Sequence, residues 1–420
     1  MNPATITLLL LSFAIVMFVL ERIPLAITSI ILCLSLVLTG VLDAKEAFTG
    51  FIDPNVILFV DMFVIGAALF ETGMAKKIGG LVTKFAKTER QLIVATMLIT
   101  GLMSGFLSNT GTAAVLIPVV IGIAARSGFA RSKLLMPLVF ASAMGGNLSL
   151  IGAPGNMIAQ SALQSIDMKF GFFEYGMIGL PIMLVGILFM ATIGYKLLPT
   201  TNAGSTNNIK EDNFDNVPKW KKTTSLIVLL VTIACMVFEK QIGIKLHITG
   251  AIGAMFLVVV GVISENQAFK SIDLKTIFLF GGTLALAKAM EKTGAGQLIA
   301  STVLDSLGSA PSMFMIMFVI FAISCVLTNF MSNTATTALL VPIGMSISTS
   351  IGADPRAVLM AIVIGGSLAY ATPIGMPANT MVLTPGGFKF VDYVKCGVPL
   401  IIVSGVVSLV LLPMLFPFFP

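Results

Sequence analysis

Apolar runs recur along the chain, separated by short polar segments. A helix crossing a bilayer needs about 20 mostly apolar residues. Ten runs reach or approach that length: 4–20, 24–41, 55–70, 134–163, 172–198, 223–238, 246–263, 276–290, 358–383 and 397–419. Gly and Pro interrupt those at 134–163 and 358–383. Two further stretches, 94–125 and 314–350, are apolar but broken by polar residues. Each is too short for two ordinary spans and long enough for a re-entrant helical hairpin. The first run lacks a basic n-region and a small-residue cleavage site before Glu21-Arg22, so it reads as a retained span.

Composition turns this pattern into a statement about solvent. Of 420 residues, 57% are hydrophobic and 10% charged, and the mean hydropathy is +1.02. Soluble domains are about a quarter charged. The chain cannot supply a polar shell, which excludes a cytosolic enzyme, a nucleic-acid binder and a secreted scaffold. Lys and Arg are enriched in cytoplasmic loops. With the N-terminus outside, the inner segments carry 18 of them and the outer segments 7. This predicts a multi-pass protein of the cell membrane with both termini outside. The four cysteines (Cys33, Cys235, Cys325, Cys396) lie in or beside apolar runs, without metal-clip spacing, and read as inert buried thiols.

The chain contains itself twice. Ser108-Asn109-Thr110 recurs as Ser332-Asn333-Thr334, 224 residues on, with Pro118 and Pro342 following at the same distance. Ile151-Gly152-Ala153-Pro154-Gly155-Asn156 matches Ile374-Gly375-Met376-Pro377-Ala378-Asn379 at an offset of 223. Glu71-Thr72-Gly73 resembles Glu291 to Gly294. Ordered matches at near-constant offset indicate duplication. The expected halves are 1–199 and 223–420, each with five spans, so the second would enter the membrane upside down. Segment 71–90 is basic and 291–309 is not, as inversion requires. An inverted repeat with broken helices is a transporter signature, with the binding site near the midplane. Residues 200–222 read as a flexible cytoplasmic linker, with Trp220 as an interfacial anchor. In 74–90, Met74, Ile78, Leu81, Val82 and Phe85 share one face, and in 295–309 so do Leu298, Ile299, Val303 and Leu304. Both suit helices lying in the interface.

Polar residues cluster where the apolar stretches break: Ser104, Ser108, Asn109, Thr110 and Thr112 in one half, Thr328, Asn329, Ser332, Asn333, Thr334, Thr336 and Thr337 in the other. Irregular backbone at membrane depth is tolerated where it faces protein or water. A hairpin tip there frees carbonyl oxygens, which with hydroxyls suit Na+. It also frees helix N-terminal N–H groups, which hold an anion. The bland alternative is small polar residues that glue helices together. Gly145-Gly146-Asn147 and Gly365-Gly366-Ser367 precede the Pro breaks, where Pro154 and Pro377 are expected to remove a helix donor and expose carbonyls.

The S-x3-SNT and T-x3-SNT tips and the I-G-x-P-x-N breaks resemble those of the divalent anion:Na+ symporter (DASS) family of the ion transporter superfamily. The resemblance covers most of the chain. It implies an all-α, elevator-type homodimer that takes up dicarboxylate, citrate or sulfate with Na+. It implies one Na+ site of Ser104, Ser108, Asn109 and the backbone near Gly152, and another of Thr328, Ser332, Asn333 and the backbone near Gly375. Asn109, Thr110, Pro154, Asn333, Thr334 and Pro377 would face the anion. The mobile unit would be the hairpins and broken helices, carried past a scaffold of about 1–70 and 223–290. Four departures stand out. Ala153 and Met376 replace the Thr that precedes each break Pro in dicarboxylate-binding members. The family's extra first span and the soluble inserts of some relatives are not expected here. Asp61 stands where a small residue is expected.

A carboxyl at membrane depth often serves an ion or proton pathway. Asp61 therefore keeps open a proton-coupled anion carrier, an arsenite exporter or a Na+/H+ antiporter. A neutral or paired structural role is the plainer reading of it. A passive anion channel is a further alternative. HExxH, GxSxG and GK[ST] motifs are absent, which speaks against an enzyme.

Overall fold

The computed structural model describes the chain except residues 1, 21, 81–87, 201–213, 215, 308–311 and 420, with backbone alone at 300 and 303–307. The expected apolar face at Leu81, Val82 and Phe85, most of the linker, and the side chains of Val303 and Leu304 lie outside the described residues. Among the described residues there is helix and no strand. Seven helices there have the length and apolarity to cross a membrane by themselves.

Sixteen helices of the described residues carry the architecture; Ala295–Leu307 and the short connecting helices are left unnumbered. The first eight are α1 (Pro3–Leu20), α2 (Leu25–Leu38), α3 (Pro54–Glu71), α4 (Glu89–Ser104), α5 (Asn109–Ser127), α6 (Ser132–Gly145), α7 (Pro154–Gln164) and α8 (Gly176–Phe189). The second eight are α9 (Lys219–Val237), α10 (Leu246–Val259), α11 (Leu274–Thr293), α12 (Met313–Thr328), α13 (Asn333–Ile351), α14 (Pro355–Gly366), α15 (Pro377–Gly386) and α16 (Phe390–Leu415). Each helix of the first set has its counterpart eight places on. A shift of 224 carries both ends of α4 onto α12 and both ends of α5 onto α13.

Local chemistry explains the boundaries. Ser108 and Ser332 are N-caps, accepting from the backbone N–H of Gly111 (3.1 Å) and Ala335 (3.2 Å). The expectation for the two break prolines needs correction. Pro154 and Pro377 do not break a helix: each opens one, at the first helical position. There the missing N–H costs nothing and the proline φ is already helical. The break is the non-helical stretch before each proline, 146–153 and 367–376. The linker also ends earlier than expected, because α9 begins at Lys219. Trp220 stands in its first turn, half exposed.

The halves interlock. Helix α7 packs on α13 and α14, and α15 packs on α5 and α6. Helix α3 crosses α10, and α11 crosses α2. At the centre the buried rings of Phe140 and Tyr370 lie 5.4 Å apart. In a bilayer such close packing, rather than hydrophobic exclusion, holds helices together.

Candidate functional site

Each half builds one polar cluster from a hairpin tip and a helix break. In the first, the buried Ser104 closes α4 and Asn109 opens α5. Ser104 Oγ lies 2.8 Å from Asn109 Oδ1 and 2.6 Å from the Ser142 carbonyl. One hydroxyl proton cannot serve both acceptors. The same terminal atom of the Asn109 carboxamide is 3.2 Å from the carbonyls of Ser142 and Gly152. As an oxygen it accepts from the Ser104 hydroxyl alone and crowds two carbonyls; as an N–H2 group it has two protons for the three oxygens. With the amide oxygen turned inward, the carbonyl, hydroxyl and amide oxygens form a set that suits a cation; with the nitrogen inward, the amide itself satisfies the carbonyls. Among the described residues no group of three His, Cys, Asp or Glu side chains is placed to hold a metal.

The second cluster repeats the first. Thr328 Oγ1 lies 2.8 Å from Asn333 Oδ1 and 2.5 Å from the Gly366 carbonyl. Gly366 corresponds to Ser142 by the same shift of 224 that relates the tips.

The breaks are held by the Asn of each I-G-x-P-x-N motif and by Ser149, Thr372, Tyr175 and Tyr393, which sequence reasoning did not single out. Asn156 Nδ2 donates to the carbonyls of Gly146 (2.9 Å) and Ser149 (2.8 Å), and Asn379 Nδ2 to those of Ala369 (2.8 Å) and Thr372 (3.0 Å). Ser149 Oγ donates to the Gly105 carbonyl and Thr372 Oγ1 to the Asn329 carbonyl, each at 2.5 Å. The hydroxyls of Tyr175 and Tyr393 donate to the carbonyls of Asn156 (2.9 Å) and Asn379 (2.6 Å). Such bonds satisfy backbone that would otherwise be costly in an apolar surround. The recurrence of Ser149 and Asn156 as Thr372 and Asn379 at 223 residues was a readable signal. The tyrosines were not readable, since their spacing from the breaks differs between halves. Gly152 and Gly375 are required by close approach. A Cβ on Gly152 would fall 2.5 Å from the Gly146 oxygen, and one on Gly375 2.6 Å from the Thr328 oxygen.

Four helix N-termini bring donors to this region: α5, α7, α13 and α15. The first-turn N–H groups of α7 and α15 receive no side-chain cap, because Ala153 and Met376 occupy the cap positions. The N-terminus of α7 abuts α13: a Cβ on Gly155 would meet Thr337 Oγ1 at 2.7 Å. Ser367 Oγ donates across the halves to Asn147 Oδ1 at 2.9 Å. Asn147 Nδ2, Thr112 Oγ1, Thr336 Oγ1 and the Tyr370 hydroxyl are buried and make no hydrogen bond among the described residues. Thr110, Pro154 and Thr334 are half-buried at the first turns of α5, α7 and α13, and Pro377 is exposed at the start of α15. Ser108 and Ser332 spend one lone pair each on capping and keep the other.

Asp61 stands apart from these clusters. It is buried on α3 against Gly250 of α10, where a Cβ would meet its Cβ and Oδ2 at 3.1 Å. Its Oδ2 has no hydrogen-bond partner among the described residues. Gly66 and Phe70, which approach Leu107 and Gly111 of the hairpin, belong to another face of α3.

Comparison with known proteins fits this picture. A family profile described as citrate transporter matches residues 15–365 and 233–419. An uncharacterized transporter of Escherichia coli (strain K12), YfbS, is 25% identical over 97% of this chain and 98% of its own. The sodium-dependent dicarboxylate transporter SdcS of Staphylococcus saprophyticus is 22% identical over 94% of this chain and 83% of its own. Among solved structures, the Alcanivorax borkumensis YdaH transporter superposes with a TM-score of 0.66 at 16% identity, covering both chains entirely. That likeness speaks for the fold. With matched regions spanning nearly the whole sequence, this polytopic helical protein is a transporter and belongs to the citrate transporter family.

Proposed function

We propose that the protein is a Na+-coupled symporter of a small divalent or organic anion (a dicarboxylate, citrate or sulfate). The observation that carries this reading is the oxygen cluster of Ser104, Ser142 and Asn109, in which one hydroxyl proton faces two acceptors. The matching surplus of acceptors at Thr328 and Asn333 supports a second cation position. Na+ held at both would offset the charge of an anion that binds between the tips, against the first turns of α5, α7, α13 and α15. Asn109, Thr110, Asn333 and Thr334 would face it, with Pro154 and Pro377 shaping its walls. The sodium-dependent name of SdcS points the same way. The two halves would be inverted repeats working as an elevator, within a homodimer in the cell membrane with both termini outside. The hairpins and breaks would move as one body past α1–α3 and α9–α11.

Purified protein in liposomes tests this with labelled succinate, citrate and sulfate under a Na+ gradient, a proton gradient, or neither. Saturable Na+-driven uptake, lost in Asn109→Ala and Asn333→Ala, is the expected result. Gradient-independent flux would make the protein a passive channel.

A second reading rests on Asp61, whose buried, unpartnered oxygen calls for a proton or a cation. It makes the protein proton-coupled, as an anion carrier, an arsenite exporter or a Na+/H+ antiporter. Proton-driven flux that Asp61→Asn abolishes would establish it. Unchanged activity and pH dependence in that variant would end it.

A further inference from the structure

Helix α4 starts beside the C-terminal end of α8, where the helical ladder loosens into a π-type turn, Met190–Gly194, and finishes at Tyr195–Leu197. Turns of this kind gather at functional sites. Between the two helices lies an open groove of about 350 Å³. Its lining is Arg90, Gln91, Val94, Ala95, Leu98 and Ala191, four of them apolar.

Arg90, which lines the groove, belongs to a basic cluster just outside it. Around the Tyr195 ring stand the Arg90 guanidinium, 4.3 Å from the centroid, Lys133 Nζ at 5.8 Å and Lys196 Nζ at 6.0 Å. Arg90 also donates to the Tyr195 hydroxyl at 2.5 Å. That bond takes one of five guanidinium donors. Among the described residues, one carboxylate pairs with these cations: Glu89, 3.5 Å from Lys133. The cations come from three separate segments, each of which the Lys and Arg count assigns to the cytoplasmic side. The fold collects them at one aromatic ring, a side chain favoured at headgroup depth. A cationic head on an apolar trough matches the two parts of an anionic phospholipid. The second half has no such head at the corresponding place, since the shift of 224 puts Phe314 where Arg90 stands.

We propose that this groove binds an anionic phospholipid of the cytoplasmic leaflet. Its phosphate would lie against Arg90, Lys133 and Lys196, and one acyl chain along Val94, Ala95, Leu98 and Ala191. The lipid would thus hold the cytoplasmic end of α4, the helix whose other end carries Ser104.

Native mass spectrometry of the full-length protein tests this with phosphatidylglycerol, phosphatidylcholine and inorganic phosphate in parallel. Retention of phosphatidylglycerol over phosphatidylcholine is expected. Arg90→Ala with Lys196→Ala should lower it about fivefold per cation removed. Ala95→Trp, which fills the trough without changing charge, should lower it too. Arg90→Lys should keep most of it, and Lys240→Ala, a distant exposed cation, all of it. Equal retention of the two lipids would overturn the proposal, as would wild-type retention in both the double variant and Ala95→Trp. Displacement of the lipid by inorganic phosphate alone would reassign the site to a free anion.

Discussion

Ser104 and Thr328 stand between a carboxamide oxygen and a backbone carbonyl in the same arrangement. The helix crossings that flank them differ. Where α11 crosses α2, Gly282 rests on Ser29, and a Cβ on the glycine would come within 2.6 Å of the Ser29 Cβ. A shift of 221 carries Ser29 onto Gly250 and Asp61 onto Gly282. At the crossing of α3 with α10 the small residue has changed sides, and a carboxyl occupies the room. The hydrogen-bonded clusters have kept their chemistry in both halves, while the crossings between halves have diverged. Duplicated packing needs only one small partner per crossing, so the other position can acquire a charge without losing the close approach.

The largest effect should come from forcing the crossings to match. Gly282→Asp would place a carboxyl against Ser29 with no glycine opposite. An uncompensated buried charge costs ~3–5 kcal/mol, so folded yield and melting temperature in detergent should collapse. Near-wild-type stability would mean that the second crossing has hidden room. Next, on the symporter reading, Ser104→Ala and Thr328→Ala should each weaken Na+-dependent uptake about 5- to 150-fold, the equivalent of the ~1–3 kcal/mol lost with a buried polar partner. Loss in one variant alone would show that the clusters are alike in form and unequal in use. Gly250→Ala should destabilise the fold by ~1–2 kcal/mol through crowding of Asp61, and Asp61→Ala should relieve it. A thermal melt of the double variant reads that coupling. The smallest effect belongs to the breaks. Ala153→Thr adds an N-cap hydroxyl and should gain ~0.5–1 kcal/mol, whereas in Met376→Thr the loss of a buried side chain should offset that gain. A shift in relative succinate and sulfate uptake in either variant would tie that helix to the anion.

The repeat and its tips were legible because they are local. Ser108-Asn109-Thr110 and Ser332-Asn333-Thr334 interrupt apolar stretches, and their spacing is visible without a structure. The proline breaks were legible in place and misread in role: a proline in an apolar run suggests a kink, yet Pro154 and Pro377 open helices. Ser142 was out of reach. It lies within an apolar helix and contributes a backbone carbonyl, an atom that every residue carries. Tyr175 and Tyr393 were hidden by unequal spacing.

The sequence by itself determined the solvent, the number of apolar runs, the duplication and the polar tips. These follow from composition, length and periodicity, which act on each segment separately. Tertiary structure decided which carbonyls meet the Asn109 carboxamide, that Asp61 faces Gly250 and not the hairpins, and that three cations from separate segments gather at Tyr195. These depend on how helices far apart in the chain cross. Crossing is set by where small residues allow close approach and where breaks turn the backbone, and both are properties of pairs of segments.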